Sequence, residues 1–271
     1  MFVTVEPGVR VFVSDLNPDA GSRPVLFLHG WPLHHGMFEY QYNVLPAYGY
    51  RCIGMDYRGY GQSDKPWGGY AYDRLADDVA AVVEALGLQD AALVGFSIGG
   101  PISIRYLSRH ANHQCTRIRK LALIDAAAPA FARRPDNPYG MPADQINDLI
   151  RQTASNRPKM LRDLSLQFFN RNVGPDLLDW FLAMGMEAAS HATIRFLATL
   201  RDEDVTADLR AIRVPTALLH GVHDQVVPFG TAQRLQQLLP GSILRPLYNS
   251  GHGSVVDEMD AVNAALLEFL K

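Results

Sequence analysis

The stretch AALVGFSIGG, residues 91–100, decides the fold. Its first four residues form a continuous apolar run, typical of a strand that is buried on both faces. The next five, Gly95 to Gly99, form a G-x-S-x-G motif, and a helical pattern begins at Ile98. Glycines two positions before and after the serine allow a turn from strand to helix so sharp that larger side chains would collide. The stretch therefore predicts a strand, a tight turn and a helix, with the hydroxyl of Ser97 raised clear of the sheet.

Similar apolar runs recur along the chain and alternate with helical patterns. After two short strands around the turn at 6–8, the runs lie at residues 25–28, 52–55, 91–94, 121–124 and 216–219, with a last strand at 242–247. Helical patterns lie at residues 38–48, 75–86, 98–108, 232–239 and 257–270. Short buried runs separated by helices are typical of a parallel sheet with helices on both faces. The predicted fold class is therefore α/β, with a mostly parallel central sheet flanked by helices.

One segment, residues 130–210, interrupts this alternation because helical patterns follow one another there without a strand. It falls before the penultimate strand, near the sheet edge at which ligands bind in α/β folds. The segment is rich in aromatic side chains, which pack on one another, line a pocket, or do both. We expect an all-helical cap at 130–210, inserted into an α/β core formed by residues 1–129 and 211–271.

A serine nucleophile needs a base and an acid that orients the base, and both have candidates later in the chain. His252 lies in the glycine-rich loop SGHG, between the last strand and the last helix. Asp224 follows the penultimate strand, while Asp125 ends an earlier strand and is the competing acid. The order serine, acid, histidine is the one found in α/β hydrolases with this turn. The sequence therefore predicts the triad Ser97, Asp224 and His252, with His223 as an exposed turn residue.

Acyl transfer also needs backbone N–H donors for the oxyanion that forms when the serine attacks a carbonyl group. One predicted donor is Ile98, the residue after the nucleophile. The second is Trp31, in the loop His29-Gly30-Trp31-Pro32 that follows an early strand, since Pro32 has no N–H. We expect His29 to tie this loop internally rather than to act in catalysis.

Composition excludes several other classes of protein. The chain has 271 residues, of which 25 are Lys or Arg and 28 are Asp or Glu, so its net charge is −3. This balance argues against nucleic acid as a partner, and no apolar run is long enough to span a membrane. With no secretory signal in view, Cys52 and Cys115 are expected to be free thiols in a cytoplasmic protein. The histidine pairs at 34–35 and 220–223 have no further ligand at metal-site spacing, so neither a metal nor another cofactor is expected.

Further motifs extend the pattern over nearly the whole chain. They are HGWPL at 29–33, DYRGYGQSDKPWGGYAYD at 56–73, VGFSIGG at 94–100, HGVHDQVVPF at 220–229 and SGHG at 250–253. Together they resemble the α/β-hydrolase superfamily, specifically the bacterial arylesterases grouped with cofactor-free haloperoxidases and perhydrolases. Related epoxide hydrolases and dehalogenases carry an aspartate where this chain has Ser97, which argues against both. Relatives often carry methionine at the position of Ile98 and an aromatic residue at that of Ser254, so the size of the acyl pocket stays open.

The resemblance implies a serine carboxylesterase of the arylesterase type, which hydrolyses small esters through an acyl-enzyme and needs no cofactor. Alternatives on the same fold are a lactonase, a lactamase and a hydrolase of C–C bonds; the non-enzyme alternative is a ligand receptor with a hydrolase-like pocket. The partner is then a small-molecule ester, and the sequence leaves open whether the chain forms a homo-oligomer. Perhydrolases of this family tend to carry proline after the oxyanion residue, which adds peracid formation as a side activity. The predicted pocket residues are Pro32, Phe96, Phe131, Phe168, Trp180 and Val226.

Overall fold

Eight strands in the described part of the chain form one sheet. The computed structural model describes residues 1–19, 21–110 and 117–271, and Cys115 lies outside these ranges. The strands are β1 (Phe2–Glu6), β2 (Val9–Leu16), β3 (Arg23–Leu28), β4 (Tyr50–Met55), β5 (Ala91–Phe96), β6 (Ile118–Ile124), β7 (Thr216–Gly221) and β8 (Ile243–Leu247). Their order is β1-β2-β4-β3-β5-β6-β7-β8, with antiparallel pairs from β1 to β4 and parallel pairs from β4 to β8. The predicted α/β class with a mostly parallel sheet is confirmed.

The parallel strands at the centre are buried on both faces, as their continuous apolar runs predict. Every residue of β5 and of β7 is buried. β2 instead alternates between buried valines and more exposed residues, the two-residue period of a strand covered mainly on one face. The carboxyl ends of β5, β6 and β7 meet at one edge of the sheet, where Ser97, Asp125 and Asp224 follow.

Helices cover both faces of this sheet. They are α1 (Glu39–Tyr42), α2 (Tyr72–Ala85), α3 (Gly99–His110), α4 (Ala143–Phe168), α5 (Pro175–Glu187), α6 (Ser190–Asp202), α7 (Phe229–Leu238), α8 (Ser254–Asp257) and α9 (Met259–Leu270). Leu26 and Leu28 of β3 share one apolar cluster with residues of α2, α3 and α7. Val25 and Phe27, which point to the opposite face, share another with residues of α9. The core therefore consists of two apolar layers, one on each side of the sheet.

The predicted helix at 38–48 is not continuous. It is divided into 3₁₀ turns at His35–Phe38 and Leu45–Tyr48, with the short α1 between them. Pro46 has no N–H to donate and disfavours helical geometry at the residue before it, so an α-helix cannot continue through this position.

The segment between β6 and β7 contains α4, α5 and α6. The first of these helices is kinked at Asn156, where φ is −153° and ψ is 70°, two residues before Pro158. Phe168 at its end packs against Phe169 and Phe181, with ring centroids 5.5 and 5.1 Å away. An insert of helices before the penultimate strand agrees with the sequence, and its division from the core at 130 and 210 stays a prediction.

Two further observations concern the helices and a cysteine. None of the helices in the described ranges is both long and apolar enough to cross a membrane. Cys52 is buried in β4, where burial raises the pKa of its thiol to about 12. The cytoplasmic location stays a prediction.

Candidate active site

Ser97 occupies the sharp turn between β5 and α3 that the sequence predicts. Its φ is 52°, in the left-handed region that residues other than glycine seldom adopt. A Cβ atom on Gly95 would collide with the carbonyl oxygen of Gly99, and one on Gly99 would collide with that of Leu28. Only glycine fits at either position, and the backbone consequently holds the Ser97 side chain at the carboxyl edge of the sheet.

His252 joins the serine to the predicted acid. Its Nε2 lies 3.0 Å from Ser97 Oγ, and its Nδ1 lies 2.7 Å from Asp224 Oδ2. The other oxygen of Asp224 accepts hydrogen bonds from the backbone N–H groups of Val226 and Val227, both at 2.8 Å. All three side chains of the triad are buried. Ser97, His252 and Asp224, the predicted nucleophile, base and acid, therefore lie in sequence within hydrogen-bonding distance of one another.

Two histidines keep the carboxyl group of Asp224 in its ionised form. Burial would raise the pKa of Asp224, but the nearby His252 and His220 lower it to about 2. His220 is buried at the end of β7, with Nε2 2.8 Å from the Val227 carbonyl oxygen and 3.3 Å from Asp224 Oδ2. Sequence reasoning assigned His220 no role at this site; its place four residues before Asp224 at a strand end was the available signal. An ionised carboxylate at this point can stabilise the imidazolium that forms during catalysis.

Asp125, the competing acid, makes different contacts. Its Oδ1 accepts the Gly221 backbone N–H at 2.8 Å, and its Oδ2 accepts the hydroxyl of Ser254. Burial raises its pKa to about 6 against the opposing effect of His220. The histidine is therefore in contact with Asp224, while Asp125 is hydrogen-bonded to Ser254.

The proposed oxyanion donors lie beside the nucleophile. The backbone N–H groups of Trp31 and Ile98 have no acceptor among the described residues, so both are available to a ligand. The Trp31 indole donates to the carbonyl oxygen of Thr193 in α6 at 3.0 Å, which fixes the side chain. His29 ties the loop internally as expected, because its Nδ1 lies 2.9 Å from the Gly30 carbonyl oxygen, and its Nε2 also accepts the Tyr57 N–H at 3.1 Å. Burial lowers the pKa of His29 to about 4, so it is neutral at pH 7.

An apolar cavity of about 70 Å³ opens onto Ser97 and His252. Nine apolar side chains line it: Trp31, Phe131, Met141, Leu149, Leu164, Phe168, Leu197, Leu200 and Val226. The remaining lining residues are Gln167 and Gln225, both exposed at its rim. No Asp, Glu, Lys or Arg of the described residues lines the cavity. It therefore suits an uncharged substrate.

Three of the six predicted pocket residues line this cavity, and three do not. Phe131, Phe168 and Val226 do. Phe96 is fully buried at the end of β5 and packs against His252 with ring centroids 5.1 Å apart, but it does not line the cavity. Trp180 packs on Tyr40 and Phe181, and Pro32 borders a separate cavity of about 20 Å³. Ile98 is also absent from the described lining.

The insert is tied to the loop that carries the base. Gly253 donates its N–H to the carbonyl oxygen of Phe168 at 2.7 Å. Asp257 Oδ2 accepts two backbone N–H groups, from Asn170 after α4 at 2.7 Å and from Gly251 at 2.8 Å. One buried carboxylate thus connects the end of α4 to the residue that precedes His252.

Two groups of side chains have the spacing of metal ligands. The first, Asp125 with His220 and Asp224, is the acid cluster already described. The second is His34, His35 and Asp56. Asp56 accepts the backbone N–H and Nδ1 of His35 on one oxygen and the Gln62 N–H on the other. Asp56 therefore joins His35 to the loop after β4, while His34 Nδ1 accepts the Gly36 N–H at 3.1 Å, so hydrogen bonds occupy all three members of the second group.

Comparisons with known proteins agree with this geometry. The alpha/beta hydrolase fold family matches residues 23–258. The AB hydrolase superfamily protein YisY of Bacillus subtilis (strain 168) is 48% identical over 268 residues, covering 99% of this chain and 98% of that protein. The bifunctional esterase/perhydrolase DCH of Acinetobacter calcoaceticus is 35% identical over 279 residues, covering 100% of this chain and 99% of that protein. The solved esterase from Exiguobacterium antarcticum has a TM-score of 0.94 at 40% identity, covering 100% of this chain and 98% of that one. As its motifs predicted, the chain belongs to the alpha/beta hydrolase family, with esterases and a perhydrolase among its relatives.

Proposed function

We propose that this protein is a serine esterase that hydrolyses small, uncharged esters through an acyl-enzyme. The observation that carries the proposal is the position of His252, whose ring nitrogens contact Ser97 Oγ and Asp224 Oδ2 at the wall of an apolar cavity. The esterase and the esterase/perhydrolase among the relatives support the same reaction class.

The reaction uses groups of the chain itself at each step. Nε2 of His252 takes the proton of the Ser97 hydroxyl as Oγ attacks the ester carbonyl, and Asp224 holds the imidazolium that results. The N–H groups of Trp31 and Ile98 donate to the oxyanion. His252 then protonates the departing alcohol, leaving an ester of Ser97. A water molecule, deprotonated by His252, attacks that ester, and the acid leaves with the serine restored.

The decisive experiment combines turnover with trapping of the nucleophile. We expect p-nitrophenyl acetate to be hydrolysed by the native protein, and a fluorophosphonate to add its mass to a peptide that contains Ser97. Ser97→Ala should remove both signals, while Ser155→Ala, at an exposed serine of α4, should keep both. Labelling at another residue, or turnover by Ser97→Ala equal to that of the native protein, contradicts the proposal.

The alternatives are separated by the same assay with other substrates. Lactones, lactams and ring-cleavage diketones should be poorer substrates than acetate esters if the protein is an esterase. A ligand receptor on this fold should turn over far more slowly than the median enzyme rate of about 10 s⁻¹.

Peracid formation is a second candidate activity. Hydrogen peroxide can replace water in the attack on the acyl-enzyme, which releases a peracid and free Ser97. The specific observations that favour it are the sequence Trp31-Pro32 and the similarity to the esterase/perhydrolase of Acinetobacter calcoaceticus.

A further inference from the structure

Asp125 is a buried carboxylate that the proposed mechanism does not use, although it stands beside the acid that the mechanism does use. It follows β6 directly and is fully buried. Its φ of 46° lies in the left-handed region, which costs free energy for a residue other than glycine. Asp125 is therefore a strained, buried and ionisable residue next to the proposed site of reaction.

The two oxygens of Asp125 hold two different loops. Oδ1 accepts the N–H of Gly221, three residues before Asp224, at 2.8 Å. Oδ2 accepts the hydroxyl of Ser254, two residues after His252. A single carboxylate therefore connects the loop of the acid to the loop of the base. Loss of either contact leaves a buried polar group unpaired.

The charges around Asp125 come from the same cluster. The ionisable groups that face it are His220 at the end of β7, Asp224 in the following loop and His252 in the loop before α8. Burial and the repulsion of Asp224 raise the pKa of Asp125 to about 6, while the two histidines oppose the increase. The carboxyl group therefore changes its charge within the range in which serine hydrolases are assayed.

We infer that Asp125 is a positioning residue: its carboxylate holds the acid and base loops together, and its negative charge stabilises the imidazolium that forms on His252 as Ser97 attacks. This inference deepens the proposed function and rests on it for its kinetic consequence. A negative charge near an imidazole favours its protonated form, more so where burial keeps water away. Because imidazolium forms as Ser97 attacks, the charge also stabilises the transition state.

Three variants separate the charge from the hydrogen bonds. Asp125→Asn keeps the shape and an acceptor for the Gly221 N–H but removes the charge. Asp125→Ser is smaller and also neutral, and it replaces the first variant if that protein does not fold. Ser254→Ala removes one hydrogen bond and keeps the carboxyl group, whose pKa should rise further because the Ser254 hydroxyl lowers it. Thermal unfolding of each variant shows whether it is folded.

Two measurements are made on each folded variant. In the dependence of kcat/KM on pH, the neutral variants should move the acid limb to lower pH by about half a unit or more, because the imidazolium loses a favourable neighbour. Their plateau kcat should fall about threefold to tenfold, with KM little changed, since Asp125 is not among the lining residues of the cavity. Ser254→Ala should move the acid limb less than the neutral variants do, because its Asp125 can still ionise.

The second measurement does not depend on esterase activity. The NMR signals of the His252 ring, assigned with His252→Gln, report its titration directly, and the midpoint should fall in the neutral variants. An unchanged midpoint in both neutral variants overturns the inference. A shift in Ser254→Ala equal to that of the neutral variants also overturns it, because the hydrogen bond and not the charge would then be the cause. A shifted midpoint in a protein without ester turnover would instead overturn the proposed function and leave the electrostatic inference standing.

Discussion

The ring of Phe168 meets the imidazole of His252 edge to face, with 4.8 Å between the centroids and 86° between the planes. Phe168 ends α4 of the insert and also lines the cavity. One side chain therefore lines the cavity and packs against His252.

The first prediction follows from this double contact. Phe168→Ala should lower kcat about fivefold, because an aromatic pair of this geometry is worth about 1 kcal/mol and its loss frees His252 to leave the reactive position. Leu149→Ala is the matched control, since it enlarges the same cavity without a ring contact to the base. Steady-state kinetics on p-nitrophenyl acetate measure both. A decrease in kcat that is equal in the two variants would show that cavity volume alone is responsible.

The second prediction separates the two carboxylates near the base. Asp224→Asn should lower kcat by about 10⁴, because the imidazole loses the partner that fixes its tautomer. Asp125→Asn should retain a tenth or more of the native turnover. His252→Ala should lose as much as Asp224→Asn or more, since the triad acts as a unit. Asp224 is not the orienting acid if Asp125→Asn is the crippled variant.

The third prediction concerns the length of the acyl group. A cavity of about 70 Å³ bounded by Trp31, Phe131 and Phe168 leaves room for a short chain. Acetate and butyrate esters should therefore outrun decanoate and palmitate esters in kcat/KM. Leu149→Ala should shift the preference toward longer chains. Efficient hydrolysis of palmitate with poor hydrolysis of acetate would contradict the prediction.

The fourth prediction concerns Pro32. A proline fixes its own φ and restricts the residue before it, which constrains the direction of the Trp31 carbonyl group. A carbonyl aimed into the site can accept the hydroperoxide proton, a contact worth about 1–2 kcal/mol or roughly five- to thirtyfold in rate. The ratio of peracetic acid formation to ester hydrolysis should thus fall in Pro32→Leu. An unchanged ratio in a folded variant assigns Pro32 a purely structural role.

The fifth prediction is a pH dependence of stability. Burial would raise the pKa of Asp56, but the hydrogen bond and charge of His35 lower it to about 2. A folded-state pKa below the unfolded value gives stability that is present above pH 4 and is lost as the pH falls through 2. Asp56→Asn should lower the free energy of unfolding by about 2 kcal/mol at pH 7 and by much less near pH 2.

Urea unfolding at both pH values measures this difference. The control is Asp202→Asn, whose exposed ion pair with Arg201 should contribute less than about 1 kcal/mol at either pH. A loss of stability in Asp56→Asn that is the same at pH 2 and pH 7 would remove the electrostatic explanation.

The sequence predicts those features that depend on local geometry. Glycine is the only residue type that fits at positions 95 and 99, on either side of Ser97. The order of residues along the chain was enough to predict Asp224 and His252 as its partners. In the structure, His252 Nδ1 lies 2.7 Å from Asp224 Oδ2. Their catalytic role stays a prediction until it is measured.

The pocket could be predicted only in part, because the direction of a side chain depends on elements distant in sequence. Phe96, the last residue of β5, packs against Phe168 and His252 with ring centroids 6.1 and 5.1 Å away, and these two side chains line the cavity while Phe96 does not. Trp180 packs against Tyr40, which is distant from it in the sequence, so no local pattern predicts the contact. Gln167 lies near the end of α4 and Gln225 in the loop after β7, so only the fold brings the two side chains to one cavity.

The tie through Asp257 has a consequence for how such enzymes diversify. A new preference for substrate is readily obtained by replacing the insert, but here the end of α4 and the residue before His252 share one carboxylate. If the insert alone were transplanted from a relative, without that relative's counterpart of residues 249–257, it would bring its own pocket but would not hold His252 in position. The insert that lines the cavity and the loop that positions His252 therefore depend on each other in this protein. A chimaera needs its junction after His252.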